Sequence, residues 1–159
     1  MTQRNRKVTV MDDYIKEQIK LWDSLCKEQA DFYHKASVWS GLSDAAYWVM
    51  FSVCWKQEKI SQSDLCAENY FPKQTINSAV TKLLKQEFVT LIASDDNKKR
   101  KLIKLTTQGV AFCKQYVEPI FEVERESFRQ CDRDEIDQML STMKKQLNFM
   151  KEKTENLWQ

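Results

Sequence analysis

The chain has 159 residues, with 25 Lys and Arg against 23 Asp and Glu, a formal charge of +2, and only 2 Gly and 2 Pro. So few turn-formers exclude a sandwich or barrel that reverses at short intervals, and so few glycines exclude a dinucleotide or P-loop phosphate cradle. Charged residues make up 30% of the chain and no run approaches the roughly 18 apolar residues of a membrane span, which predicts a mostly helical cytoplasmic protein of one-domain length.

The polar start, Met1-Thr-Gln-Arg-Asn-Arg-Lys7, lacks the apolar stretch of a signal peptide. Beyond it, Ile15, Ile19, Trp22, Cys26, Gln29, Tyr33 and Ala36 step alternately by four and three residues. They form one stripe of a helix of about 25 residues, with Gln29 its one polar member. Ser43 or Asp44 can cap a second helix, Ala45 to Trp55, whose all-round apolar character requires burial. Ser61 and Asp64 have capping-box spacing and open a short helix through about Glu68. Pro72 stands where a helix can begin without a backbone donor, and the helix from Lys73 to Gln86 places Ile76, Val80, Leu83 and Leu84 on one side. Its other side reads Gln74, Thr75, Asn77, Ser78, Thr81 and Lys82, hydrogen-bonding side chains without a carboxylate.

Two short β-type runs follow, 88–93 and 102–105, joined by the polar segment 94–101, which together read as a hairpin. Thr106 or Thr107 then caps a long helix through about Arg129, with Gly109 near its start and a kink expected at Pro119. Ile136, Leu140, Met143, Leu147, Met150, Thr154 and Leu157 repeat the four-three alternation in a final helix. Such stripes serve equally in a single-chain core or against a second subunit; the reading adopted is the second, with Ile15, Ile19, Trp22, Ile136, Leu140, Met143, Leu147 and Met150 at the interface of a homodimer.

Charge sharpens this picture. Residues 1–55 are neutral, residues 56–109 carry +4 and residues 110–159 carry −2, and Lys98, Lys99, Arg100, Lys101 and Lys104 fall within seven positions. A helical unit followed by a basic two-stranded wing is the winged form of the helix-turn-helix, in which one helix enters a DNA major groove.

The ordered set Leu42-Ser-Asp-Ala-Ala-Tyr47, Ile60-Ser-Gln-Ser-Asp-Leu65, residues 71–84 and Leu105-Thr-Thr-Gln-Gly109 resembles the MarR-type transcriptional regulators. The resemblance covers about residues 42 to 112; the terminal helices match only in length and amphipathicity. It implies a mostly α winged helix-turn-helix with a small β-hairpin wing, divided into an N-terminal dimerisation helix (1–41), a DNA-binding lobe (42–109) and C-terminal dimerisation helices (110–159). It further implies a homodimeric, sequence-specific regulator on a pseudo-palindromic site in double-stranded DNA; the reading adopted is a repressor, with activator the open alternative, and neither a cofactor nor a membrane partner is expected.

The DNA-contacting residues expected are Ser61, Gln62, Lys73, Gln74, Thr75, Asn77, Ser78, Thr81, Lys82, Asn97, Lys98, Lys99, Arg100 and Lys101. Where the family often has Asp-x-Arg in the wing, this sequence has Asn97-Lys98-Lys99, or, after a two-residue slip, Arg100 or Lys101 in the arginine's role. Lysine keeps the charge without the planar fork, which suits phosphate more than base edges.

The family commonly answers to small aromatic ligands, and a crevice lined by Tyr33, Trp39, Tyr47, Trp48 and Phe51 would suit one, although core packing accounts for the same residues. Cysteines 26, 54, 66, 113 and 131 form no CxxC pair and read as buried thiols, Cys26 among them, against the alternative of a redox sensor. His34 is the one histidine and has no ligand-spaced neighbours, so no metal centre is expected. Without a histidine pairing, and with Glu118, Glu122, Glu124 and Glu126 read as a solvated helix face, an enzyme is not expected. The remaining alternative is a winged-helix protein-interaction module, which calls for an acidic or apolar face where this chain has 73–82.

Overall fold

The computed structural model describes residues 3–56, 60–69, 71–94, 101–155 and 157, with the side chains of residues 3–11, 68 and 69 left aside. Seven helices and three strands are present among them: α1 (Gln3–Ser40), α2 (Asp44–Lys56), β1 (Ile60–Ser61), α3 (Gln62–Asn69), α4 (Lys73–Lys85), β2 (Val89–Ala93), β3 (Lys101–Leu105), α5 (Thr107–Tyr116), α6 (Glu118–Arg129) and α7 (Arg133–Thr154). This is the mostly helical architecture with a small β element that the sequence predicts. The chain divides into two compact units, Met1–Val117 and Glu118–Gln159.

In the first unit, α1 runs 38 residues, longer than its apolar stripe, and stops at Gly41, whose φ of 74° is the left-handed conformation that closes many helices. The amide of Gly41 donates to the Val38 carbonyl at 3.0 Å and that of Leu42 to Ser37 at 3.2 Å, the paired bonds of a Schellman end. Of the two candidate caps for α2, Ser43 takes the position before its first residue, and its carbonyl accepts from the Tyr47 amide at 2.8 Å. The Asp44 carboxylate turns instead to α1, where it accepts from the Ser37 hydroxyl and lies 2.9 Å from Nδ1 of His34. Those hydrogen bonds, the Ser37 one foremost, hold its pKa below the ordinary carboxylate value despite opposing desolvation.

α2 packs between α1 and α4 and supplies the centre of the core, with Tyr47, Val49 and Met50 fully enclosed. Burial pushes the Tyr47 phenol up to about 12, and its hydroxyl donates to the Tyr116 carbonyl at 3.2 Å. The helix is not buried all round, because Trp55 near its end is 58% exposed. From α4 the core receives Ile76, Ala79, Val80 and Leu83, the i, i+3, i+4, i+7 set of one helical face.

The wing is a three-stranded sheet in the order β1-β3-β2 rather than a hairpin alone. Ile60 lies opposite Ile103 and Ser61 opposite Leu102, while β2 pairs antiparallel with β3 from Val89–Leu105 to Ala93–Lys101. β1 escaped the sequence reading because two residues give no alternation to detect.

At the foot of the wing, Thr106 is the cap of α5: its hydroxyl accepts from the Gly109 amide at 3.0 Å, and its own amide donates to the Phe88 carbonyl at 3.1 Å. Gly109 is required there, since a Cβ would sit 1.9 Å from that carbonyl oxygen. α4 ends with Glu87 in the left-handed region, at φ 57°, and the Phe88 amide donates to Leu83 at 3.0 Å. A ladder of rings joins Phe88 to Phe112 (4.6 Å), Phe112 to Tyr116 (4.9 Å) and Tyr116 to Trp39 of α1 (5.1 Å).

In place of one kinked helix through Arg129, the chain forms α5 and α6 as separate helices. Pro119 is the second residue of α6, where its missing N–H is among the donors a first turn leaves unused. In the second unit, the acidic face of α6 is ion-paired along the helix: Glu122 meets Arg125 at 2.6 Å and Glu126 meets Arg129. α7 opens on a full capping box between Asp132 and Glu135, each bond 2.9 Å, and none of its side chains is buried.

Candidate nucleic-acid interface

The burial of Ile76, Ala79, Val80 and Leu83 fixes which way α4 faces. Lys73, Gln74, Asn77, Ser78, Thr81, Lys82 and Lys85 are exposed on its outer side, and Thr75 is half-buried at the edge. Pro72 precedes the first turn without a side-chain cap bond. The Thr81 hydroxyl donates to the Asn77 carbonyl at 2.8 Å, a back-bond that spends its proton inside the helix. The outer face therefore presents two amides, hydroxyls and three ammonium groups, and no carboxylate.

α3 contributes less than the sequence suggests. Ser61 is 3% exposed; its hydroxyl donates to Asp64 at 2.7 Å and lies 2.8 Å from the Ser63 hydroxyl, while its amide donates to Asp64 at 2.9 Å. A side chain buried and committed to a cap cannot reach DNA, which corrects the expectation for Ser61. Gln62 remains half-buried at the start of α3.

On the wing, Lys101 is exposed opposite Ala93. Asn97, Lys98, Lys99 and Arg100 lie outside the described residues. Lys104, a member of the basic run in the sequence, is exposed too, opposite Thr90 on the wing. One exposed cation went unassigned in the sequence reading, Lys85 at the end of α4: the +4 charge of residues 56–109 contained it, but spacing arguments centred on amides passed it over.

The five aromatics proposed for a ligand crevice separate into two groups. Tyr33 of α1 and Trp48 and Phe51 of α2 are half-buried and in mutual contact, with centroid distances of 4.8 Å, 6.1 Å and 5.1 Å. Tyr47 touches Phe51 at 6.2 Å but is fully enclosed and offers no surface to a ligand. Trp39 belongs to the other group, through its contact with Tyr116, and is 54% exposed. Tyr47 is thus corrected out of that lining, and Trp39 stands apart from the α1–α2 ring cluster.

Of the residues expected at a dimer interface, Ile15, Ile19 and Trp22 on α1 are exposed, as are Leu140, Met143, Leu147 and Met150 on α7; Ile136 is half-buried. The cysteines also differ from expectation. Only Cys113 is buried, while Cys26 and Cys131 are exposed and Cys54 and Cys66 are intermediate. Cys26 does lie on the apolar stripe of α1, but in its uncovered part with Ile15, Ile19 and Trp22. Among the described residues no cluster of three His, Cys, Asp or Glu could hold a metal, and no helix is long and apolar enough to cross a membrane.

Residues 40–100 match the MarR family model. No curated protein matches the sequence. Among solved structures, a MarR family regulator from Neisseria meningitidis is similar with a TM-score of 0.73 at 14% identity, over 87% of this chain and 97% of that one. The S. aureus MepR–DNA complex gives 0.65 at 17% identity, over 82% and 94%, and CouR from Rhodococcus jostii RHA1 bound to p-coumaroyl-CoA gives 0.65 at 20%, over 77% and 86%. At these identities the likeness is one of fold.

Proposed function

We propose, from the premise that the chain carries a MarR-type winged helix-turn-helix over residues 40–100, that it is a transcriptional regulator that binds double-stranded DNA as a homodimer. The observation that carries this reading is the outer face of α4, with exposed amides, hydroxyls and lysines and no carboxylate, on a helix whose other face is locked into the core. Asn77 and Gln74 have the donor–acceptor pairs that read base edges, while Lys73, Lys82, Lys85, Lys101 and Lys104 neutralise phosphates. An acidic or apolar face, as a protein-interaction module would need, is not what α4 presents. The MepR–DNA complex, alike in fold, supports the same reading.

Dimerisation is proposed from the uncovered apolar side chains of α1 and α7: Leu140, Met143, Leu147 and Met150 recur along one stripe and all stay exposed, the kind of apolar patch that marks a protein–protein contact. The terminal segments 1–41 and 110–159 would supply that contact, and the two copies would read a pseudo-palindromic operator and repress by occupying it. An aromatic effector would sit against Tyr33, Trp48 and Phe51, the half-buried ring cluster at α1 and α2; the binding of p-coumaroyl-CoA by CouR supports an aromatic ligand class.

Fluorescence anisotropy with a duplex drawn from DNA beside the protein's own gene tests the DNA reading. With six to ten phosphate contacts per dimer, affinity should fall by about 10³ to 10⁵ between about 50 and 200 mM salt. No binding at low salt, or binding without a salt slope, removes it.

A further inference from the structure

α4 carries a second message in what its sequence omits. The base-edge partners of a G·C pair are arginine, whose planar fork spans guanine O6 and N7, lysine, which reaches the same atoms without a fork, and a carboxylate, which accepts from cytosine N4. Lys73-Gln-Thr-Ile-Asn-Ser-Ala-Val-Thr-Lys-Leu-Leu-Lys85 has neither an arginine nor a carboxylate at any position, buried or exposed. The partners of an A·T pair are both present: Gln74 and Asn77, exposed and one turn apart, can each donate to adenine N7 and accept from adenine N6.

Thr81 completes the pattern. Because its hydroxyl proton is given to the Asn77 carbonyl at 2.8 Å, what this exposed side chain has left to offer is a methyl group and an acceptor lone pair. A methyl is the complement of the thymine 5-methyl group. The lysines do not supply a guanine reader of equal power, since an ammonium on a flexible stem acts as a point charge. Gln74 to Thr81 spans seven residues, about 10 Å along the helix axis, which corresponds to about three base-pair steps of DNA at about 3.4 Å each.

We propose that α4 reads a run of about three to four A·T pairs in each half-site by direct major-groove contact, with Gln74 and Asn77 on adenines and the Thr81 methyl on a thymine. This rests on the reading that α4 enters DNA, and the experiment separates the two. Full-length protein is used to select duplexes from a random pool, and affinity for the selected site is then measured with 7-deazaadenine, which lacks the N7 acceptor but still pairs with thymine, and with uracil, which lacks the thymine methyl.

The expected result is an A·T core in each half-site, a loss of about 2- to 13-fold for 7-deazaadenine at a read position, where one of the two hydrogen bonds is removed, and about fourfold for uracil opposite Thr81. Asn77→Ala, at an exposed position that the core does not need, should abolish the penalty of 7-deazaadenine at one base pair only. Lys82→Ala should weaken binding to all sequences alike and lower the salt slope. A salt-dependent, specific site with G·C pairs at the core overturns the inference and leaves the DNA reading standing. An A·T core indifferent to 7-deazaadenine and to Asn77→Ala also overturns it, because groove shape would then be the thing read. Failure to enrich any duplex overturns both.

Discussion

α4 and α7 are both amphipathic helices, yet they stand in opposite relations to the rest of their units. Ile76, Ala79, Val80 and Leu83 of α4 are enclosed to between 0% and 3% exposure, whereas Leu140, Met143, Leu147 and Met150 of α7 keep from 39% to 54%. Periodicity in the sequence is the same signal in each case; burial distinguishes a stripe covered within its own unit from one left uncovered there. An enclosed stripe fixes where the opposite face points, and so α4 can be read for chemistry. An uncovered stripe is itself the surface to be explained.

The largest way to test that contrast is Leu83→Ala, which empties a fully enclosed site and should lower the unfolding free energy by about 2–5 kcal/mol in a denaturant titration. On the uncovered side, Leu140→Lys with Leu147→Lys should leave the near-ultraviolet circular dichroism of the lobe unchanged. Sedimentation should then show association weakened by about 100-fold or more, since each buried leucine contributes about 1.5–3 kcal/mol. A stable monomer in the parent protein would remove the dimer proposal at once.

A smaller effect concerns the end of α4. Glu87 holds a left-handed φ that costs a side chain about 1 kcal/mol, so Glu87→Gly should raise the unfolding free energy by about that amount and leave DNA affinity unchanged. Smallest is the Asp44 contact with Ser37 and His34. Its pKa is lowered, so the fold favours the carboxylate, and the stabilisation is complete above the ordinary value of 3.8 and is lost as pH falls through the lower folded value. Thermal melts should therefore show the parent's advantage over Asp44→Asn vanishing below about pH 4, and its size at neutral pH should stay under about 1 kcal/mol, because both side chains are about half exposed to screening solvent.

Much of the fold was legible because the relevant signals are local. The Ser61–Asp64 box, Thr106 as a cap and the α4 face all follow from side chains acting within one turn of their own position. What escaped depends on distant partners. Ile60 and Ser61 become a strand only because β3 passes beside them, and Glu87 adopts a glycine-like conformation because Phe88 must bond back to Leu83. Pro119 was placed correctly as a disruption but ends up starting a helix rather than bending one.

The candidate site was legible along α4 for the same local reason and less so elsewhere. Ser61 was misassigned because a serine hydroxyl suits a base edge and a helix cap equally, and only its burial decides between them. The aromatic lining failed for a related cause: Tyr47 and Trp48 are adjacent in sequence, but a helix turns adjacent residues by about 100°, which sends one into the core and leaves the other at its edge.

Ser61 has one further consequence. It is at once the last residue of β1, paired with Leu102 on the wing, and the cap from which α3 begins. Strand and helix share that residue with no spacer between them, so the lobe has no hinge there. A tilt of α3 therefore carries the wing strands with it, like the jaw and handle of a single casting.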